Sequence, residues 1–163
     1  MRITINPYNP ASVTAAIKLI TQYKDDFLAK ESEFVRRLAE IGVSVAGAGF
    51  ASADYDGVND VGVHVELRGT SAAVIAEGET VSFIEFGTGV RYQEWNPSGA
   101  SYTPPAHGTY GKGRGANPKG WYFKQSEGAT ARHTYGNPPA EAMLTARNMI
   151  IERVVQIARE VWK

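Results

Sequence analysis

The sequence predicts an α+β fold: an antiparallel sheet of about four to five strands, packed by a long N-terminal helical region and a C-terminal amphipathic helix. Three observations predict it. Apolar residues recur at helical spacing through the first third, alternate with a period of two from Val61, and return to helical spacing after Pro139.

Residues 2 to 6 alternate as a short strand does, and Asn9-Pro10 supplies an N-cap and a first-turn proline for the helix that follows. Val13, Ile17, Ile20, Phe27, Phe34, Leu38 and Ile41 form its apolar stripe, with Lys18, Lys24, Asp25, Lys30, Glu33 and Arg37 mostly between them. A stretch this long implies either a bend near Lys30 to Glu33 or a rod packed along neighbours. Gly42, Gly47 and Gly49 weaken helical propensity, and Asp56-Gly57 ends the segment. No internal repeat and no coiled-coil heptad series is expected.

Val61, Val63, Val65 and Leu67 alternate with Gly62, His64 and Glu66, the pattern of a half-buried strand. Residues 72–78 (AAVIAEG) and 80–86 (TVSFIEF) are the next strands, separated by turn formers at Gly69 and Gly78-Glu79. Residues 121–125 and 130–135 form a hairpin through Glu127-Gly128. Between Gly87 and Gly120 lie eight glycines and four prolines, a composition that excludes regular elements. A connection of this length is expected to be ordered by a partner. Pro138 and Pro139 open a last helix over residues 140–162, with Met143, Leu144, Ile150, Ile151, Val154, Val155, Ile157, Ala158 and Val161 on its broad apolar face. One domain, 1–163, with the loop 87–120 inserted between sheet strands, follows.

Bulk properties exclude several function classes. A chain of 163 residues buries roughly 70% of its unfolded surface. Seventeen Lys plus Arg balance seventeen Asp plus Glu, so no overall field draws the chain to nucleic acid or an anionic membrane. Cysteine is absent, which removes disulfides, thiolate nucleophiles and Cys-based zinc sites. The start, Met1 to Ile5 followed by Asn6 and Pro7, lacks the apolar core of a signal peptide, and no apolar run approaches the roughly 20 residues that span a bilayer. Synthesis and assembly in the cytoplasm are expected.

Chemistry is sparse. His64, His107 and His133 have no second ligand at metal-binding spacing. Gly-x-Ser-x-Gly is missing, and the string Gly108 to Gly115 (GTYGKGRG) lacks the Gly-Lys-Ser/Thr of a phosphate loop. Lys112, Arg114 and Lys119 near Tyr110 and Trp121 suit phosphates and bases, but Arg with aromatics equally composes protein–protein hot spots. Glu85, inside the apolar run Phe83-Ile84-Glu85-Phe86, has no partner acid or base; a surface role or a buried hydrogen bond to loop amides is expected rather than general-base work. No catalysis, cofactor or metal is expected.

The segment Phe83 to Val90 (FIEFGTGV) resembles the Glu-Phe-Gly-Thr-Gly signature of the phage tail-component family of long-tailed bacteriophages. Other features arrive in the family's order: a helical first third, valine-rich strands with Ala76-Glu77-Gly78, a long Gly/Pro loop, Gly120-Trp121-Tyr122-Phe123, and a proline turn into a terminal helix. The resemblance spans about Asp26 to Trp162, departing mildly at Asn137-Pro138-Pro139-Ala140, where the family often carries a Pro-Phe-Leu-like motif. It implies a non-enzymatic tail-completion or head-tail joining subunit of the neck, in a homo-oligomeric ring of about six. Implied partners are head-side connector or stopper proteins and the tail tube or its terminator, with DNA met only as it passes through the ring and no membrane. The location implied is the virion, at the head–tail junction. A tail terminator is the alternative within this class; a small hydrolase using Glu85 and a nucleic-acid binder using Lys112, Arg114 and Lys119 are the alternatives outside it. Glu85, Phe86, Thr88, Tyr92, Trp95, Tyr102, Tyr110, Lys112, Arg114 and Trp121 are the interface candidates.

Overall fold

A computed structural model of the chain describes residues 3–89, 117–124 and 126–163. The fold is α+β. Helix α1 (Pro10–Ala51) is followed by strands β1 (Gly62–Arg68) and β2 (Ser71–Glu77), a short helix α2 (Val81–Phe86), strands β3 (Trp121–Phe123) and β4 (Arg132–Thr134), and helix α3 (Ala142–Val161).

The N-cap of α1 forms as the Asn9-Pro10 pair dictates: the Asn9 side chain accepts from the Ala11 amide at 3.0 Å. The helix then runs for 42 residues, about 63 Å along its path, without a break at Lys30 to Glu33. It also passes through Gly42 and Gly49. A methyl group at Gly42 would lie 2.8 Å from the side chains of Ile150 and Val74, and one at Gly49 would lie 2.8 Å from Ala142. Close packing against α3 and β2 therefore outweighs the lost helical propensity. Beyond Ser52, the Asn59 side-chain amide donates to the Phe50 carbonyl at 2.8 Å and closes the helix end.

α1 and α3 run antiparallel. Gly49 meets Ala142, Gly42 meets Ile150, Arg37 pairs with Glu160 at 2.5 Å, and Phe34 packs edge-on to Trp162 at 5.1 Å between ring centroids. The Arg37 bond holds the Glu160 carboxyl below its ordinary range. Of the broad apolar face expected on α3, Ile151 and Val155 prove exposed.

Among the described residues the four strands form two separate antiparallel pairs, not one sheet. β1 and β2 pair from Gly62 with Glu77 to Arg68 with Ser71, turned through Gly69 and Thr70. β3 and β4 pair from Trp121 with Thr134 to Phe123 with Arg132, so the hairpin through Glu127-Gly128 is present but short. Residues 3 to 6 form no strand.

The strand expected over 80–86 is instead helical, and burial gives the reason. Ile84 and Glu85 are 1% and 4% exposed, whereas successive residues of a strand point to opposite faces. A helical turn sets them 100° apart and lets both turn inward. The preceding turn is held by Asp60, whose carboxylate accepts the Glu79 and Thr80 amides at 2.7 and 3.0 Å and the Thr80 hydroxyl. These bonds, the hydroxyl's first, hold Asp60 below its ordinary pKa.

The core lies where these parts converge. Phe50 from the end of α1, Ile84 from α2 and Ala142 from the start of α3 are buried together, with Tyr55, Val61, Val63, Ala76 and Met143 packed around them. Phe50→Ala removes the largest fully buried ring and is expected to destabilise the fold by about 3–5 kcal/mol, measured by urea unfolding.

Candidate functional site

Residues Glu85 to Gly89 meet residues 134–144 in one interlock. α2 ends with free carbonyls, and α3 begins with free amides, as every helix does. α2 and the segment that leads into α3 satisfy both. The Ile84 carbonyl accepts the Ala140 amide at 2.8 Å, and the Glu85 carbonyl accepts that of Glu141 at 3.3 Å. In return the Glu85 carboxylate accepts the Met143 amide through Oε2 at 3.0 Å and the Leu144 amide through Oε1 at 3.3 Å. Glu141, at the N-cap position of α3, makes no capping bond with its own side chain. Glu85 caps α3 from 58 residues away.

Thr88 and Asn137 form the next link. The Thr88 amide donates to the Asn137 carbonyl at 2.9 Å, and the Asn137 amide returns a bond to the Thr88 hydroxyl at 3.0 Å. Asn137 is 6% exposed, and its side-chain amide also donates to the Asp54 carbonyl at 3.2 Å. Buried Thr134 extends the link by donating its hydroxyl to Asp56.

Gly87 and Gly89 make this approach possible. Gly87 has φ 72° and Gly89 φ 82°, both in the left-handed region, and a Cβ at Gly87 would lie 2.7 Å from the Asn137 carbonyl oxygen. At Gly89 a Cβ would collide with the Tyr135 carbonyl oxygen, and at Gly120 with that of Thr134. The two roots of the Gly87 to Gly120 insert are thus held against the same short stretch, Thr134 to Tyr135.

Electrostatics at the interlock are opposed. Burial pushes the Glu85 carboxyl above the ordinary carboxylate range, against the pull of the Met143, Leu144 and Ala142 amides. Burial, and then the charge on Glu85, raises Glu141 as well. Glu141 also holds φ 51°, the one positive φ outside glycine among the described residues.

The structure brings together Glu85, Phe86 and Thr88 of the ten expected interface residues, with half-buried Trp121 on β3 beside the insert root. Glu85 meets backbone amides, as expected for a buried carboxyl, but they belong to the first turn of α3 and not to a loop. Tyr92, Trp95, Tyr102, Tyr110, Lys112 and Arg114 lie outside the described residues, as does His107. Lys119 is exposed, and its carbonyl is 3.0 Å from His133 Nε2. His133 is a surface residue, edge-on to both Tyr122 and Tyr135, and His64 also faces solvent. Asn137, Asp60 and the Thr134–Asp56 pair were missed by sequence reasoning, for their partners are remote in the chain.

An apolar groove of about 300 Å³ opens between α1, β2 and α3, lined by residues including Leu38, Val74, Met143 and Ile150; Glu85 is not among them. Among the described residues no group of His, Asp and Glu is arranged to hold a metal ion, and no helix is long and apolar enough to cross a membrane. Neither family models, curated proteins nor solved structures include a match to this chain.

Two outcomes test the interlock. Glu85→Ala strands the Met143 and Leu144 amides and is expected to cost about 1–3 kcal/mol of unfolding free energy. With Glu85→Gln as reference, pH reports the buried charge. Because the folded pKa is raised, the stabilisation from the bound proton is complete below the unfolded carboxylate pKa and is lost as pH rises through the folded pKa. The stability of the wild type relative to Glu85→Gln is expected to fall from pH 4 to pH 8, followed by urea midpoints; a flat or rising difference contradicts it.

Glu141→Gly is expected to be neutral or stabilising by up to about 1 kcal/mol in thermal unfolding, since glycine accepts a positive φ and the charge beside Glu85 is removed.

Proposed function

We propose that the chain is a non-catalytic structural subunit of the neck of a long-tailed bacteriophage, a tail-completion or head-tail joining protein that works in a ring of about six copies. The observation that carries this reading is the use made of the signature. Glu85, Gly87, Thr88 and Gly89 are all engaged in fixing the segment before α3 and the roots of the insert. A carboxylate held by two backbone amides is a cap and not a free base, which speaks against the hydrolase reading.

In this reading the body is a rigid frame, and the aromatic, Gly/Pro-rich insert is the surface completed by neighbouring subunits, by head-side connector or stopper proteins and by the tail tube. The finer expectation, a Gly/Pro-rich loop set between strands of one wider sheet of about four to five strands, belongs to the same proposal. The subunit resides in the virion at the head–tail junction and meets DNA only as it passes through the ring. The tail terminator remains the alternative level in the same assembly.

Deleting residues 92 to 118 tests the reading, because both roots are anchored on Thr134 and Tyr135. The deletant is expected to fold, with wild-type circular dichroism and cooperative unfolding, and to leave heads and tails unjoined in a complementation assay. An unfolded deletant, or one that still joins heads to tails, goes against it.

A further inference from the structure

The strand pattern at the start of the sequence is left unused by the fold. Ile3, Thr4 and Ile5 alternate as a strand does, yet they form none; Ile3 is half-buried, Thr4 and Ile5 are exposed, and among the described residues no backbone group of the three is hydrogen-bonded. The residue after them is fixed, since the Asn6 amide donates to the Ser12 hydroxyl at 2.9 Å.

β2 has the complementary lack. Its hairpin turns through two residues, so Arg68 and Ser71 form a hydrogen-bonded pair, and the bonds from β2 to β1 fall on Ser71, Ala73, Ile75 and Glu77. The amides and carbonyls of Ala72, Val74 and Ala76 point the other way, and among the described residues none of them has a partner. Two strands alone make a marginal sheet, and an open edge is a template for a third. β1 guards its own edge with His64, Glu66 and Arg68, whereas β2 carries no charged residue before Glu77. Beside the β2 edge lies the apolar groove of about 300 Å³ bounded by α1 and α3, where Ala72 and Val74 face Leu38, Met143 and Ile150.

We propose that Ile3 to Ile5 of a second copy add to the open edge of β2 as a third strand, with the Ile3 and Ile5 side chains entering the groove. Backbone pairing along the edge and a pocket for alternate side chains are what strand addition requires. Alternate residues of a strand share a face, so the two isoleucines turn in on the side of Ala72 and Val74, and Thr4 lies on the outer side with exposed Ala73. Each copy thus carries both halves of the contact, an unpaired apolar strand and an edge with a groove to receive it.

The two halves cannot meet within one chain. Ser32 Oγ is 3.5 Å from the Gly69 carbonyl oxygen, at the turn of the hairpin, and β2 runs on from there toward Gly42. Ser32 lies about 30 Å along α1 from Ser12, where Asn6 is held, and the three residues before Asn6 span at most about 11 Å. The strand therefore comes from another copy. The contact joins two different surfaces, so it passes from copy to copy, as a ring requires, and it adds to the contacts proposed for the insert.

The chain has no cysteine, so an introduced pair reports this contact alone. A chain carrying both Thr4→Cys and Ala73→Cys is expected to form interchain disulfides under mild oxidation, and neither single variant is expected to do so. Self-association of the wild type, followed by sedimentation against concentration, is expected to weaken at least about tenfold in Ile5→Asp, at a position 48% exposed, with circular dichroism unchanged. Ala72→Pro is expected to do the same, since proline removes the outward amide and leaves the bonds to β1 in place. A double-cysteine chain that stays single, single variants that cross-link as readily, or a folded Ile5→Asp chain that associates like the wild type overturns the proposal. These readouts are independent of head–tail joining: a chain that links its copies in this way yet never enters virions refutes the neck reading alone.

Discussion

Two helix ends that cap each other hold this molecule together. Helix ends leave carbonyls and amides without partners inside the helix; here the last carbonyls of α2, those of Ile84 and Glu85, accept the amides of Ala140 and Glu141 just ahead of α3, and the buried Glu85 carboxylate accepts the first-turn amides of Met143 and Leu144. Almost every other feature depends on that junction. It places Ile84 and Ala142 against Phe50, which closes the core, and it sets the direction in which α3 returns along α1. It also fixes Thr88 beside Asn137, and so the roots of the insert. The arrangement keeps a carboxylate in a setting that opposes its ionisation, with a second acid, Glu141, next to it. That is the expected cost of a cap delivered from inside the core, and the amides offset it in part.

The rest of the molecule divides into a frame and two surfaces. α1, α3 and the β1–β2 hairpin form the frame, joined by close backbone contact at Gly42 and Gly49 and by the Arg37–Glu160 pair. One surface is rooted at Thr134 and Tyr135, where the insert departs. The other is the N-terminal part of α1, where Ile17, Ile20 and Tyr23 are exposed. The core thus sits at one end of a long helix, and the other end carries exposed apolar side chains.

Local patterns carried much of this in the sequence. Asn9-Pro10 announced α1, the valine alternation announced β1, and Pro138-Pro139 with the broad apolar face announced α3. What was not legible depended on contacts between distant residues. TVSFIEF has the β-branched and aromatic composition of a strand, and only the demand to bury Ile84 and Glu85 on one side, together with the turn bound by Asp60, makes it helical. The isolation of the two hairpins was hidden for the same reason, since strand patterns do not say which strands pair. Glu85 was recognisable as a buried acid in search of amides, but nothing in the sequence pointed to Met143 and Leu144 as their source. Asn137 carried no signal beyond preceding two prolines.

Hydrogen exchange at the Met143 and Leu144 amides tests the central claim most directly. In an ordinary helix the first-turn amides exchange within the fast, frayed fraction, whereas amides bonded to a buried carboxylate open only with the core. Both are expected to show protection close to that of the global unfolding free energy, and to lose it in Glu85→Ala. Fast exchange at both positions in the folded wild-type chain would contradict the mutual capping of α2 and α3.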